Sequence, residues 1–103
     1  MPLFDNQVVF LGQVALTVST AAVSVTASSI PPGAAGVVLA CNTGGAVNWL
    51  PGQDPTISFG IPLAVGGVEV LEHENISDLR FIRTGAANAL MTVMFIACKN
   101  QPF

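Results

Sequence analysis

Few residues in this chain are equipped for chemistry, and nearly all of them lie beyond residue 50. Asp54 stands in "GQDPTISFGIPL", a stretch rich in glycine and proline that runs from Gly52 to Leu63, just after the only tryptophan, Trp49. His73, the only histidine, lies in "LEHENIS" between Glu72 and Glu74, with Glu69 and Asp78 close by in sequence. A nucleophile relay needs Ser or Cys beside a histidine that a carboxylate orients. Adjacent strand residues face alternately, so Glu72 and Glu74 do not converge on His73. The acidic group also lacks the regular ligand spacing of a calcium loop. Asp54 with Glu69 or Glu72 would supply the carboxylate pair of a glycosidase, but nothing in the sequence sets their separation. The sequence therefore predicts no enzyme, no catalytic residue, no metal site and no cofactor.

Cys41 and Cys98 are too few for a disulfide framework or a thiolate zinc site. Each sits in an apolar, strand-like run where a free cysteine behaves as a small buried hydrophobe, and a single bridge between them stays open. "NTGG" lacks the Lys and Ser/Thr that complete a phosphate-binding loop. Trp49 has two readings: its parity with Val47 places it on the inner face of a strand, whereas an exposed Trp beside a Gly/Pro loop would stack on a sugar ring.

The charges that would position partners are few. The chain has 103 residues, three cations (Arg80, Arg83 and Lys99), six acids and a net charge of −3; hydrophobic residues make up 51% and charged residues 9%. Three cations cannot neutralise many phosphates, which excludes nucleic acid as a partner. From Asn6 to Gln53 there is no Asp, Glu, Lys, Arg or His. A surface built from Ser, Thr, Asn and Gln is easily desolvated and suits contact with other protein. The longest apolar run, Leu90 to Cys98, is broken by Thr92 and falls short of the ~20 residues of a spanning helix, so no membrane partner is expected. "MPLFDNQ" carries an acid and no Lys or Arg, unlike a secretory signal, which points to synthesis in the cytoplasm.

The elements that hold these residues read as strands. In "QVALTVS", Val14, Leu16 and Val18 alternate with Ala15, Thr17 and Ser19, and "AVSVTA" repeats the pattern. "VVLACN" and "AVNWL" follow, with "TGG" between them as a connection of hairpin type. In "GGVEVLE", Val68 and Val70 alternate with Glu69. "EHENISDLR" suits one short turn before its strand, and "TGAAN" joins "DLRFIR" to "NALMTVMFIAC". That last strand is apolar on both faces, so it is covered on both, within a sandwich or under a neighbouring subunit. The fold predicted is all-β: an antiparallel, jelly-roll-like β-sandwich of six to eight short strands in a single domain, residues 1–103, with 1–12 as an added strand or extended N-terminal arm.

Cys41 to Phe95, roughly half the chain, carries a further pattern: "NTG" before a strand, "GQDPT", a "GIPL" return, "NISDLRFI" and a final apolar strand. This resembles small structural proteins encoded in the virion gene blocks of tailed bacteriophages. The resemblance implies a capsid decoration or cement protein on the head surface, present in many copies, forming homotrimers or homodimers and binding the major capsid protein. It is one of strand-and-turn pattern, and Asp54, Pro55 and Thr56 enter it as turn-formers. Candidate interface residues are Phe4, Phe10, Trp49, Asp54, Ile57, Phe59 and Phe103. The alternative function is a tail- or fibre-associated adaptor or carbohydrate-binding β-module.

Overall fold

Valine-rich alternation and frequent Gly/Pro breaks produce eight strands, because a branched Cβ packs well on a pleated surface and Pro and Gly interrupt the ladder. The computed structural model describes residues 7–72 and 75–99. The strands are β1 (Gln7–Val18), β2 (Val23–Ser24), β3 (Gly36–Thr43), β4 (Val47–Pro51), β5 (Ile61–Leu63), β6 (Val68–Glu72), β7 (Leu79–Arg83) and β8 (Ala89–Lys99). Short 3-10 turns occupy Ala27–Ser29 and Ile76–Asp78, the second of them the single turn expected before its strand.

The pairing is nested. β1 pairs with β8, β2 with β7, β3 with β6 and β4 with β5, all antiparallel. A chain paired this way is one long hairpin, and rolling it up brings β3 against β8 and β4 against β7. The result is two four-stranded sheets, ordered β1-β8-β3-β6 and β2-β7-β4-β5. This is the double-sheet jelly roll. The core lies between the sheets: Val37, Leu39, Met91, Val93 and Phe95 from the first meet Val47, Trp49, Leu79 and Phe81 from the second. Val14, Leu16 and Val23 pack against it from the inner faces, as their alternation requires.

Several details depart from the sequence reading. β1 and β8 are long, at 12 and 11 residues; of the expected arm or added strand over 1–12, residues 7–12 are the first half of β1 and residues 1–6 lie outside the described residues. The "TGG" connection is no simple hairpin, since it carries the chain from β3 in one sheet to β4 in the other. Turn residues mark where a chain reverses, and a reversal within a sheet looks locally like a crossing between sheets. The sequence left the facing of β6 open, and Leu71 packs on the core with Glu69 half-buried beside it in parity, while Val68 and Val70 face outward. Parity separates the two sets of side chains without saying which set faces in.

A β-bulge lies between Phe10 and Gly12 on β1. One extra residue shifts the parity of everything before it. Leu11 therefore packs on the core together with Val14, and Phe10, opposite Ile96, is turned outward and is 62% exposed.

Candidate interaction site

The stretch that holds Asp54 leaves β4 and returns as β5, and it is pinned along its length. The Gly52 N–H donates to the Asp78 carbonyl at 2.9 Å. Arg80 Nη1 donates to Asp54 Oδ1 at 3.0 Å. Asn48 Nδ2 donates to the Thr56 carbonyl at 2.9 Å, and Pro55 is buried. Asn48 and Arg80 alternate with the core residues Trp49, Leu79 and Phe81, so they point away from the core. The segment is thus folded back over the outer face of the second sheet. Asn48 and its cross-strand partner Ile82 are buried there, at 8% and 9% exposure.

At the end of this clasp, Thr56 and Phe59 exchange both backbone hydrogen bonds, at 2.9 and 3.2 Å. Ile57 and Ser58 are left as a two-residue turn, tightened by the Ser58 N–H donating to Thr56 Oγ1 at 3.4 Å. Thr56 supplies the side-chain contact within the turn, whereas the Asp54 carboxylate is drawn to Arg80, 26 residues later. Ile57 and Phe59 stand 70% and 58% exposed, with Ile61 exposed on β5 behind them. Polar residues are the usual occupants of so tight a turn. Here the exposed tip is apolar, and hydrogen bonds to the sheet fix its position.

Loss of Asn48 should loosen the tip far more than loss of the ion pair. Asn48→Ala is expected to cost about 1 kcal/mol, the usual net worth of such a bond, and to speed hydrogen exchange at the Thr56 and Phe59 amides. Asp54→Asn breaks an exposed pair worth about 0–1 kcal/mol and should leave those amides protected. Urea unfolding and exchange measured on both variants check the ranking.

A second surface covers the outer face of the first sheet. Pairing aligns Met94, Val38 and Val70 in one row and Thr92, Ala40 and Val68 in the next, with Phe10 and Ile96 beyond. Val68 and Val70 are 61% and 62% exposed, and Leu90, the next outward residue of β8, is also exposed. Along the outward row of the last strand, Leu90 is exposed, Thr92 and Met94 are half-buried and Ile96 is buried. Glu72, at one corner, is the only charged residue in these rows.

The remaining candidates separate. Trp49 is 5% exposed and belongs to the core. It cannot serve as an interface residue or offer its ring to a sugar, because inward parity wins over its position beside a Gly/Pro loop. Trp49, Pro51, Leu71, Glu72 and Leu79 line an opening of about 140 Å³ between the sheets, and the buried Trp49 Nε1 has no acceptor among the described residues. Asp54 is held by Arg80 over the second sheet, whereas Glu69 and Glu72 belong to β6 of the first. Among the described residues no three metal-ligating side chains cluster, and no helix is long and apolar enough to cross a membrane. Phe4, Phe103 and His73 lie outside the described residues.

Cys41 is a free, buried thiol that donates to the Gly45 carbonyl at 3.0 Å. Burial pushes its pKa above the ordinary 9.0. The folded state thus favours the neutral thiol more than the unfolded chain does. Cys41 therefore contributes its full share of stability below pH 9.0, and that share is lost as pH rises through the raised value. In a Cys98→Ser background, the urea midpoint is expected to fall from about pH 8 to about pH 10, and Cys41→Ala should flatten part of that fall.

No protein family matches the chain, and no curated protein or solved structure matches it either.

Proposed function

We propose that this chain is a non-enzymatic virion protein, a capsid decoration or cement protein that binds the major capsid protein on the head surface after synthesis in the host cytoplasm. The observation that carries the reading is the apolar tip of Ile57 and Phe59, held in place by the Asn48 and Arg80 contacts. A tip fixed before contact loses little conformational freedom on entering a groove of another protein. The tip also lies inside the stretch that resembles phage virion proteins. Cementing then follows from mass action, since a protein that binds the assembled lattice in preference to free subunits stabilises the shell.

Jelly rolls occur in viral capsid and lectin domains alike, so the fold admits both this reading and the sugar-binding alternative. Burial of Trp49 removes the side chain on which the second was based. The test separates the proteins of purified particles and adds this chain back to heads that lack it. Expected is a stoichiometric band from mature heads, and binding that is lost in an Ile57→Ser/Phe59→Ser double variant with an unchanged melting temperature. Absence of the chain from heads sinks the proposal, and so does undiminished binding by the double variant.

A further inference from the structure

The two outer faces of the sandwich are treated differently by the chain. The stretch from Gly52 to Gly60 is fastened over the second sheet, where Asn48 and Ile82 are buried. Nothing among the described residues is fastened over the first. Apolar side chains nevertheless dominate it: Phe10, Val68, Val70 and Leu90 surround the half-buried Val38 and Met94. Gln13, Thr17 and Glu72 are exposed on the edge strands, and Thr92 Oγ1 donates to Asn42 Oδ1 at 2.7 Å. Single exposed hydrophobics are ordinary, but a contiguous patch across four strands marks a contact surface.

We infer that this face is closed by the same face of a second copy, the two related by a two-fold axis. Charge favours that occupant. Among the described side chains the face carries only Glu72, at its corner, so two copies of an acidic chain can meet there with few opposing like charges; Asp54, Arg80 and Arg83 lie on strands or loops of the other sheet. Relief favours it as well. Phe10 stands at one end, and the small side chains of Ala15 and Ala40 flank Thr92 two rows away, so each copy offers a ridge and a hollow. A two-fold pairing places the ridge of each copy over the hollow of the other.

Area fits a modest pair. Four strands at about 4.8 Å spacing and six residues at about 3.4 Å each give a face of about 20 by 20 Å. Two such faces bury on the order of 1,000 Å² once the pleated surface is counted, the lower bound for a specific interface. The dimer is therefore expected to dissociate on dilution. This inference narrows the homotrimer-or-homodimer expectation of the sequence to a dimer and does not depend on the proposed virion role.

The test is sedimentation equilibrium of the full chain over a concentration series reaching about 100 μM, a hundredfold above a micromolar dissociation constant. The weight-average mass should climb from 10.6 kDa towards twice that value. Val70→Glu, at an exposed edge-strand position, should hold it at the single-chain value throughout, and Phe10→Glu on the opposite edge strand should do the same. Matching circular dichroism and melting curves establish that both variants are folded. Phe59→Ser, on the far side of the molecule, should leave the rise unchanged. A wild-type mass that stays at one chain across the series, a plateau at three chains, or folded Val70→Glu and Phe10→Glu variants that associate like the wild type each overturn the inference. No particle enters this measurement, so its failure leaves the head-binding proposal standing, and failure on particles leaves the dimer standing.

Discussion

Gly44→Ala is expected to cost about 2–5 kcal/mol, the largest loss at any glycine, whereas Gly33→Ala should cost only about 1–2 kcal/mol. Both glycines have similar left-handed backbones, with φ of +91° and +86°. An L side chain there costs roughly 1–2 kcal/mol at either site. Gly33 has open space where a Cβ would go, so it bears that cost alone. At Gly44 the added carbon would collide with the backbone carbonyl of Asn88, on the approach to β8. Backbone cannot rotate away as a side-chain tip does, and forced overpacking typically adds a further 1–3 kcal/mol. The difference between the two urea midpoints isolates the collision. Equal midpoints would mean that the β3–β4 crossing does not lie against the β7–β8 turn.

Phe95→Ala is the other large loss. Phe95 is 1% exposed, on the strand at the centre of the first sheet. It lies opposite Val37 on one side and Gly12 on the other. Removing a buried aromatic ring costs about 3–5 kcal/mol, because the transfer energy is lost and the cavity only partly collapses. Domain stability is about 5–15 kcal/mol in total, so at least about a fifth of it goes. The melting temperature should fall by on the order of 20 °C. Phe59→Ala, at an exposed turn, should stay within about 0.5 kcal/mol of wild type. Thermal melts of both variants check the contrast, and a small effect of Phe95→Ala would contradict its place in the core.

Most of the sandwich could be read from the sequence, because period two and Gly/Pro breaks are local signals. Val14, Leu16 and Val18 face inward because only that set of their alternating run is fully apolar. In β8 both sets are apolar, and only packing shows that Met91, Val93 and Phe95 face in. "GGVEVLE" has three apolar residues in five, and only the packing of Leu71 on the core shows that Val68 and Val70 face out. The outward turn of Phe10 depends on one extra residue at Leu11, which no composition rule flags in advance. Asp54 and Arg80 meet through a fold that brings the β4–β5 connection across β7, a relation no spacing encodes. For the candidate site, the doubly apolar last strand was a usable signal. It offered either the sandwich or a neighbouring subunit as the cover, and among the described residues Leu90 stays exposed in the outward row of β8 while Ile96 is buried.

The nested pairing also bears on how the molecule comes off the ribosome. β4 and β5 can meet as soon as both have emerged, but β1 must wait for β8, which is made more than 70 residues after it. Until then the first sheet lacks the strand that belongs at its centre, and β1 and β3 have no shared neighbour. Synthesis runs at about 5–20 residues per second, so that interval lasts several seconds. Topologies dominated by distant contacts are also slow to close once complete. Throughout the interval the valine-rich first half has no charged residue from Asn6 to Gln53 to keep nascent chains apart. Yield in a cell should therefore depend on chaperone supply and growth temperature more steeply than the stability of the finished fold would suggest.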